Sequence, residues 1–238
     1  MSNPIRICLV GATGLIGSTM IEQAVHRQDV RIVGVARREA KLPKGARMEM
    51  LLAPVEGWAD AIAASRAKVL VCALGTTIRR VGGDHEAFRA VDRDLVIACG
   101  KAARDAGIEH MIVVSSVGAD GGAKNFYLRT KGEMEQGLMR LRLRRLDILR
   151  PGLLRGPRAD RRPLEMAAAL ASPAMDLLLH GKYRKYRSIR AEALVRAIFA
   201  LARQKAGGQF VREWDSIQLA LRRGGELGVV AGNTGWAA

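Results

Sequence analysis

Four side chains have the types and the spacing that could carry out proton transfer: Ser115, Ser116, Tyr127 and Lys131. The tyrosine and the lysine are four residues apart, which places them on one face of a helix. A free phenol is a poor base at neutral pH, but a neighbouring ammonium stabilises the phenolate. Such a pair can exchange a proton with a carbonyl oxygen that a serine hydroxyl polarises. The alternative interpretation is an ordinary pair on the surface of an amphipathic helix.

The two serines follow an apolar run, residues 110–114, that is typical of a buried parallel strand. In open α/β sheets the ligand crevice lies at the carboxyl ends of the strands, so these hydroxyls are expected close to the reacting atoms. Ser116 is the first choice for polarising the substrate oxygen. Ser115 is the alternative, because the sequence does not show which hydroxyl points into the crevice.

Three glycines near the N-terminus lie between a strand and a helix. Residues 5–10 are apolar, as in a buried parallel strand, and residues 20–25 have the pattern of a helix. The first glycine permits a tight exit from the strand, the second lets the backbone approach a pyrophosphate, and the third lets the helix pack close to the sheet. The free N–H groups and the positive dipole end of the helix favour the same anion. The predicted phosphate cradle consists of Gly11, Thr13, Gly14, Leu15, Ile16 and Gly17.

The type of dinucleotide is predicted from Arg37 and Arg38. They come directly after the second predicted strand, residues 30–36, at the place where NAD-specific sites carry an acidic residue that bonds the ribose 2′-hydroxyl. A carboxylate would repel a 2′-phosphate, whereas a guanidinium can bind it through two hydrogen bonds. NADP(H) is therefore favoured over NAD(H). The alternative is a solvent-exposed basic turn.

Small residues follow the fourth predicted strand, residues 68–73, where the chain must pass close to the cofactor. This passage adds Leu74, Gly75 and Thr76 to the predicted cofactor contacts. The sixth predicted strand, residues 146–149, ends in Arg150, Pro151 and Gly152.

The alternation of strand and helix patterns predicts an α/β fold, a Rossmann-like doubly wound parallel sheet with a small C-terminal lobe on the substrate side. Residues 46–52 read as the third strand, and a long helix beginning near Asp84 is predicted to end at Gly107, which acts as its C-cap. An edge strand at 208–212 and a final helix at 214–221 complete the expected elements.

We expect a single NAD(P)-binding domain over residues 1–223. Its substrate-side lobe is predicted to be inserted at 155–190 and to contain a helix at 163–175. From residue 224 the periodicity fades, so residues 224–238 are predicted to form a mobile tail.

The net charge is +16, which raises the question of a nucleic-acid or membrane-surface ligand. Aromatic residues make up only 4% of the chain, so stacking platforms for bases are few, and no zinc-finger or helix-turn-helix signature is present. Attraction of an anionic cofactor is the favoured interpretation, and no specific nucleic acid is expected.

No apolar run reaches the length of a bilayer span and no signal peptide is recognised, so a cytoplasmic protein is expected. The cysteines Cys8, Cys72 and Cys99 lie in apolar surroundings without a CxxC pair and read as reduced core residues. The four histidines lack the spacing of zinc ligands, and no metal is expected.

Together these motifs resemble the atypical short-chain dehydrogenase/reductases, and the likeness is strongest to the Tat-interacting-protein-like oxidoreductase branch. It extends over residues 5–212. The stretches that carry it are the glycine turn, residues 72–77, residues 91–96, residues 114–120, the Tyr127 and Lys131 helix, and residues 150–152.

The resemblance implies NADPH binding, a Ser-Tyr-Lys site, a nicotinamide ribose held by Lys131, and a nicotinamide carboxamide held against the backbone of Pro151 and Gly152. Asp92 departs from the pattern, because many catalytic relatives have an asparagine there that helps to build a proton relay. The C-terminal lobe is also too short for the sugar-binding lobe of the extended epimerases.

The leading hypothesis is therefore an NADPH-dependent oxidoreductase that reduces a carbonyl of a small molecule. The alternative is a non-catalytic NADP(H)-binding, redox-sensing regulatory protein that acts through a protein partner. A homodimer formed through the long helices is a further open possibility.

Overall fold

The computed structural model describes residues 3–46, 48–156, 176 and 179–230. In the described part of the chain, the strands are β1 (Ile5–Val10), β2 (Val30–Ala36), β3 (Glu49–Leu52), β4 (Val69–Cys72), β5 (His110–Val114), β6 (Arg145–Leu149), β7 (Leu154–Arg155), β8 (Ile189–Arg190) and β9 (Gly208–Arg212). Seven of them form one parallel sheet in the order β3-β2-β1-β4-β5-β6-β9, and β7 pairs with β8 in a small parallel sheet.

Helices connect the strands and cover both faces of the sheet. In the described ranges they are α1 (Leu15–Ala24), α2 (Trp58–Ala64), α3 (His85–Arg89), α4 (Val96–Asp105), α5 (Phe126–Arg140), α6 (Ala191–Ala202) and α7 (Trp214–Val230). A π-helical segment, Ala90–Leu95, joins α3 directly to α4, and short 3₁₀ turns lie at Val55–Gly57 and Gly181–Tyr186.

The core consists of two apolar layers, one on each side of the sheet. Met20 of α1 and Ile198 of α6 belong to one layer. Ile62 of α2 and Leu138 of α5 belong to the other. Each of these side chains is essentially inaccessible to water, and burial of one such side chain contributes about 1.5–3 kcal/mol relative to an exposed one. The strands between the two layers are buried on both faces, which explains their continuous apolar sequence.

The predicted fold class is confirmed by this parallel sheet and its flanking helices. The bounds of β1, β2, β5 and β9 are those predicted from the sequence. The third strand is shorter than the predicted 46–52, because β3 begins at Glu49 and pairs with β2 only from Val33 to Ala36.

The predicted long helix begins where expected, since the Asp84 carboxylate accepts hydrogen bonds from the amides of Glu86 and Ala87. It ends at Gly107, whose φ of +73° is the left-handed conformation that glycine adopts without steric cost. The π-helical segment within it was not predicted.

The final helix is longer than the predicted 214–221. Helix α7 continues to Val230, well past the predicted end at residue 221. A Cβ atom at Gly224 would lie 2.8 Å from the Cβ of Ala200, so this glycine allows α7 to pack closely on α6 rather than ending the helix. Residues 231–238 and the helix predicted at 163–175 lie outside the described residues.

Candidate active site

The glycine turn forms a tight link between β1 and α1. Gly11 has a φ of +92°, and a Cβ atom there would lie 2.6 Å from the carbonyl carbon of Ala73. A Cβ atom at Gly17 would lie 2.1 Å from the carbonyl oxygen of Gly11. Both positions therefore require glycine, because the backbones of the turn, the helix and the exit of β4 approach too closely for any side chain.

Gly14 differs from the other two glycines, because it has open space in front of it. A Cβ atom there would make only ordinary contacts, at 3.5 Å and 3.7 Å, and the residue is exposed together with Thr13. Gly14 is the N-cap of α1 and supplies no side-chain acceptor, so the first-turn amides have no side-chain cap among the residues that the structure describes. Exposed, uncapped amides at a helix N-terminus fit an anionic pyrophosphate.

Leu15 and Ile16 were predicted as members of this cradle. Ile16 is 5% exposed and packs in the core, so its side chain is not available to a ligand. Leu15 is half-buried.

Arg37 and Arg38 directly follow β2, which lies beside β1 in the sheet. Both side chains are exposed, and neither has a carboxylate partner among the residues that the structure describes. A guanidinium that no protein carboxylate neutralises is available to a ligand phosphate.

The exit of β4 is tied to the π-helical segment. The Thr76 amide donates a hydrogen bond to the Asp92 carboxylate at 2.7 Å, and a Cβ atom at Gly75 would lie 3.6 Å from that same carboxylate. Leu74 is half-buried beside this passage. Asp92 thus fixes one of the loops predicted to contact a cofactor.

Asp92 also holds the predicted site lysine. The Lys131 ammonium lies 2.7 Å from the second Asp92 oxygen, and the two side chains are 5% and 1% exposed. A π-helical segment widens the helix by one residue per turn and is frequent at functional sites. Here it places Asp92 between the β4 exit and helix α5. The sequence marked this position only as a departure from the asparagine of many relatives.

Tyr127 lies in the first turn of α5, whose N-cap Asn125 accepts a hydrogen bond from the Leu128 amide at 3.0 Å. The tyrosine is 37% exposed, and its ring lies 5.9 Å from the buried ring of Phe88. Lys131 is one turn further along α5 and is buried. Along one face of α5 the tyrosine is therefore exposed and the lysine one turn further on is buried.

The two serines after β5 have different environments. The Ser115 hydroxyl is buried and donates to the Glu135 carboxylate at 2.5 Å, and Glu135 in turn forms an ion pair with Arg150 at 2.5 Å. Glu135 raises the pKa of the Arg150 guanidinium, chiefly through this hydrogen bond. The Ser116 hydroxyl is half-buried, and its one contact in the described part of the chain is a long one, 3.4 Å, to the Val117 carbonyl. Of the two hydroxyls, that of Ser116 is therefore the one available to a substrate.

Sequence reasoning missed the buried network of Ser115, Glu135 and Arg150. A signal was available, because Glu135 lies one helical turn after Lys131 and Arg150 directly follows β6.

The Pro-Gly turn after β6 is determined largely by the protein itself. The Pro151 carbonyl accepts a hydrogen bond from the Val117 amide at 3.0 Å. A Cβ atom at Gly152 would lie 2.4 Å from the Arg187 carbonyl oxygen and 2.6 Å from that of Tyr186. Gly152 therefore lets the 3₁₀ turn before β8 approach the site.

In the described part of the chain no group of three His, Cys, Asp or Glu side chains is placed as a metal-binding cluster. The helices of that same part include none with both the length and the apolar character that crossing a bilayer requires.

Comparison with known proteins identifies the family. The family model described as NAD(P)H-binding matches residues 11–165. "Protein fmp52, mitochondrial" of Emericella nidulans is 34% identical over 177 residues, which cover 71% of this chain and 76% of the relative. The protein of the same name from Aspergillus niger is 32% identical, with 67% of this chain and 71% of the relative covered.

Solved structures share the fold at low sequence identity. The Bordetella bronchiseptica enzyme WbmH, crystallised with NAD⁺, superposes with a TM-score of 0.68 at 14% identity, over 97% of this chain and 83% of that one. At this identity the likeness establishes the Rossmann fold alone.

The prediction of a cytoplasmic location is wrong by this comparison. The curated relatives are named as mitochondrial proteins. The reasoning failed because it took the absence of recognisable targeting segments as evidence of an address.

A matched family model over more than half of the chain and relatives above 30% identity lead to the same assignment. The chain belongs to the NAD(P)H-binding family, and it has the Rossmann fold that those solved structures share.

Proposed function

We propose that the protein is an NADPH-dependent oxidoreductase that reduces a carbonyl group of a small molecule. The observations that support the proposal are that Tyr127 is exposed, that Lys131 one turn further along α5 is buried, and that the one described contact of the Ser116 hydroxyl is long. These three groups can donate a proton, hold positive charge below the donor, and polarise an oxygen.

The dinucleotide, when bound, supplies the reducing equivalent. Its pyrophosphate would lie on the α1 amides after Gly14, and its 2′-phosphate would contact Arg37 and Arg38. Tyr127 would give its phenolic proton to the substrate oxygen while the Ser116 hydroxyl donates a hydrogen bond to that oxygen. Lys131 would stabilise the resulting phenolate, with its ammonium held in place by Asp92.

The cofactor preference is tested by fluorescence titration with NADPH and NADH. In the Arg37→Ala, Arg38→Ala variant, we expect the Kd for NADPH to rise by about tenfold or more, because a charge-assisted pair of contacts to the 2′-phosphate is lost. The Kd for NADH should stay within about twofold. Arg222 and Arg223 on α7 are an equally exposed arginine pair, so Arg222→Ala, Arg223→Ala is the matched control. An equal loss of affinity for NADPH and NADH in Arg37→Ala, Arg38→Ala would contradict the preference for NADPH.

The reaction is tested by following NADPH oxidation with a panel of aldehydes, ketones and quinones. Tyr127→Phe should lower kcat by about 100-fold or more while the Kd for NADPH is unchanged, because a proton donor is removed and the cradle is intact. Tyr183 is exposed in the 3₁₀ turn, and Tyr183→Phe is the matched control. Activity that survives in Tyr127→Phe would rule out this proton donor.

The Asp92 contact favours a second candidate, a redox-sensing protein that binds NADP(H) and acts through a protein partner. A carboxylate at 2.7 Å neutralises much of the positive charge that Lys131 would offer to a phenolate. On this candidate the protein binds NADPH but oxidises it with none of the substrates, and Tyr127→Phe changes neither the affinity nor the cellular role.

A further inference from the structure

A cleft with a volume of about 760 Å³ opens at the edge of the sheet opposite the glycine turn. Its lining includes the amino-terminal ends of β1, β2, β5 and β6 and the residues that precede β4. In a parallel sheet all amino ends lie at one edge, so this cleft is separate from the dinucleotide cradle at the carboxyl edge. We refer to it as the amino-edge cleft.

Positive side chains lie in a row across this cleft, on two neighbouring strands and directly before a third. Arg6 of β1 and Arg31 of β2 are register partners in the parallel pair. The Lys68 amide donates a hydrogen bond to the Arg6 carbonyl at 3.0 Å, which places Lys68 on the other side of Arg6. Like charges at directly opposed positions destabilise a sheet unless a counter-charge lies between them.

Some of the lining arginines have such a counter-charge within the protein. Arg6 pairs with Glu49 at 2.8 Å and Arg144 pairs with Glu109 at 2.6 Å. Arg145 and Arg203 likewise form ion pairs with aspartates, at 2.6 Å and 2.5 Å. These four guanidinium groups are already neutralised.

Four other lining cations have no acidic partner among the residues that the structure describes, and all four are exposed: Arg31, Arg66, Lys68 and Lys205. Arg66 in addition has a φ of +48°, a left-handed conformation that an arginine adopts only at a cost and a glycine adopts freely. The chain thus places an arginine beside the cleft at a position where its backbone favours glycine.

We propose that the amino-edge cleft binds a small ligand with a run of phosphate groups. Four unneutralised cations around one concave space match the closely spaced charges of a di- or triphosphate. No Phe, Tyr or Trp is among the described lining residues, so these offer no platform on which a nucleobase could stack. Recognition is therefore through the phosphates, and part of the +16 net charge serves this site.

The test is calorimetric titration with inorganic triphosphate at about 0.1 M salt, where long-range attraction is screened within about 10 Å. For Arg31→Gln, Lys68→Gln we expect the Kd to rise by about tenfold or more. Lys101 and Arg140 are exposed, have no acidic partner within the described ranges and do not line the cleft, so Lys101→Gln, Arg140→Gln is the control of equal charge change. Its Kd should change by less than about twofold.

Two further variants distinguish binding in the cleft from binding in the dinucleotide cradle and from a loss of folded protein. Arg37→Ala, Arg38→Ala should retain the triphosphate binding that Arg31→Gln, Lys68→Gln weakens, because the cleft does not depend on the cradle. Arg66→Gly should weaken triphosphate binding severalfold while leaving the melting temperature unchanged or raising it, since glycine relieves the left-handed backbone. A loss of affinity in that variant cannot then be attributed to unfolding.

The proposal would be overturned if the cleft variant, Arg31→Gln, Lys68→Gln, and the control, Lys101→Gln, Arg140→Gln, lost equal affinity for triphosphate. The attraction would then be a nonspecific effect of the positive charge. Loss of triphosphate binding only in Arg37→Ala, Arg38→Ala would overturn it in favour of the cradle. A short RNA that binds far more tightly than triphosphate, and loses affinity in the cleft variant, would replace the small ligand by a nucleic acid.

Discussion

The buried ion pair between Asp92 and Lys131 is the contact whose removal has the most informative consequence. Replacement of Asp92 by alanine leaves the buried Lys131 without its carboxylate partner. It also removes the acceptor of the Thr76 amide, which lies 2.7 Å from the Asp92 carboxylate. The structure therefore predicts that Asp92→Ala strongly destabilises the fold.

The magnitude follows from the geometry. At the 2.7 Å separation of the pair, the Coulomb attraction is about 6 kcal/mol with an effective dielectric constant of about 20. The cost of burying both charges offsets most of this gain, but removal of one partner leaves the other charge buried and uncompensated. We expect the free energy of unfolding to fall by about 3–5 kcal/mol in Asp92→Ala. In Asp92→Asn the loss should be smaller, about 1–3 kcal/mol, because the amide oxygen still accepts from Thr76.

A double-mutant cycle measures the interaction directly. Urea unfolding, followed by circular dichroism and by the fluorescence of the buried Trp58, would be compared for Asp92→Ala, Lys131→Met and the double variant. The loss in the free energy of unfolding should be about 3 kcal/mol smaller in the double variant than the sum of the losses in the two single variants, since the double variant leaves no charge unpaired. Asp94 lies on the same π-helical segment in an exposed pair with Arg93, so Asp94→Ala is the matched control. Asp94→Ala should lower the free energy of unfolding by less than about 1 kcal/mol.

A coupling energy below about 0.5 kcal/mol, or an Asp92→Ala variant no less stable than Asp94→Ala, would refute the reasoning. Lys131 would then be hydrated or bound elsewhere, and Asp92 could not be the residue that positions it.

Three other predictions concern the cradle, a buried histidine and the thiols. Gly17→Val should weaken NADPH binding by about tenfold or more, because its Cβ would lie 2.1 Å from the Gly11 carbonyl oxygen and α1 must move; an unchanged Kd in fluorescence titration contradicts this. His110 is buried and contacts Asp147 at 2.9 Å, and its burial lowers its pKa below the ordinary value of 6.5. As the pH decreases below about 6.5, the unfolded chain therefore takes up a proton before the folded protein does, and the free energy of unfolding falls. Urea unfolding across that range should show a flatter pH dependence for His110→Gln but not for the exposed His26→Gln, and parallel slopes would contradict the cause. Burial raises the pKa of the Cys8 and Cys72 thiols to about 11, and it raises the pKa of the Cys99 thiol still further. Iodoacetamide at pH 8 should therefore label these three cysteines only in denaturant. Rapid labelling of the native protein would show that the thiols are accessible.

The buried strands and the glycine turn could be predicted because their cause is local. A run such as Ile5–Val10 is apolar at nearly every position, as expected of a strand that is covered on both faces of a sheet. The close approaches at Gly11 and Gly17 likewise follow from a turn whose geometry is repeated wherever a strand passes directly into a helix beside a phosphate.

The edges of elements were less predictable. The pattern of β3 extended to residue 46, but its pairing partner β2 supports it only from Glu49. The fading periodicity from residue 224 indicated that the last helix had ended, whereas the contact of Gly224 with Ala200 on α6 makes residue 224 a packing position within that helix. In both cases the deciding contact comes from a segment distant in sequence.

The arrangement of the site depends even more on contacts from segments distant in sequence. Ser115 and Ser116 are equivalent in sequence, and only the position of Glu135 engages one hydroxyl and leaves the other available. Tyr127 and Lys131 could be paired from their spacing, but the carboxylate that holds the lysine comes from another helix. The sequence by itself thus determined which residues form the sheet and the cradle, because those depend on hydrophobic period and backbone sterics. Tertiary structure alone decided which charges are paired, because a buried charge takes its partner from whatever the packed helices bring within about 3 Å.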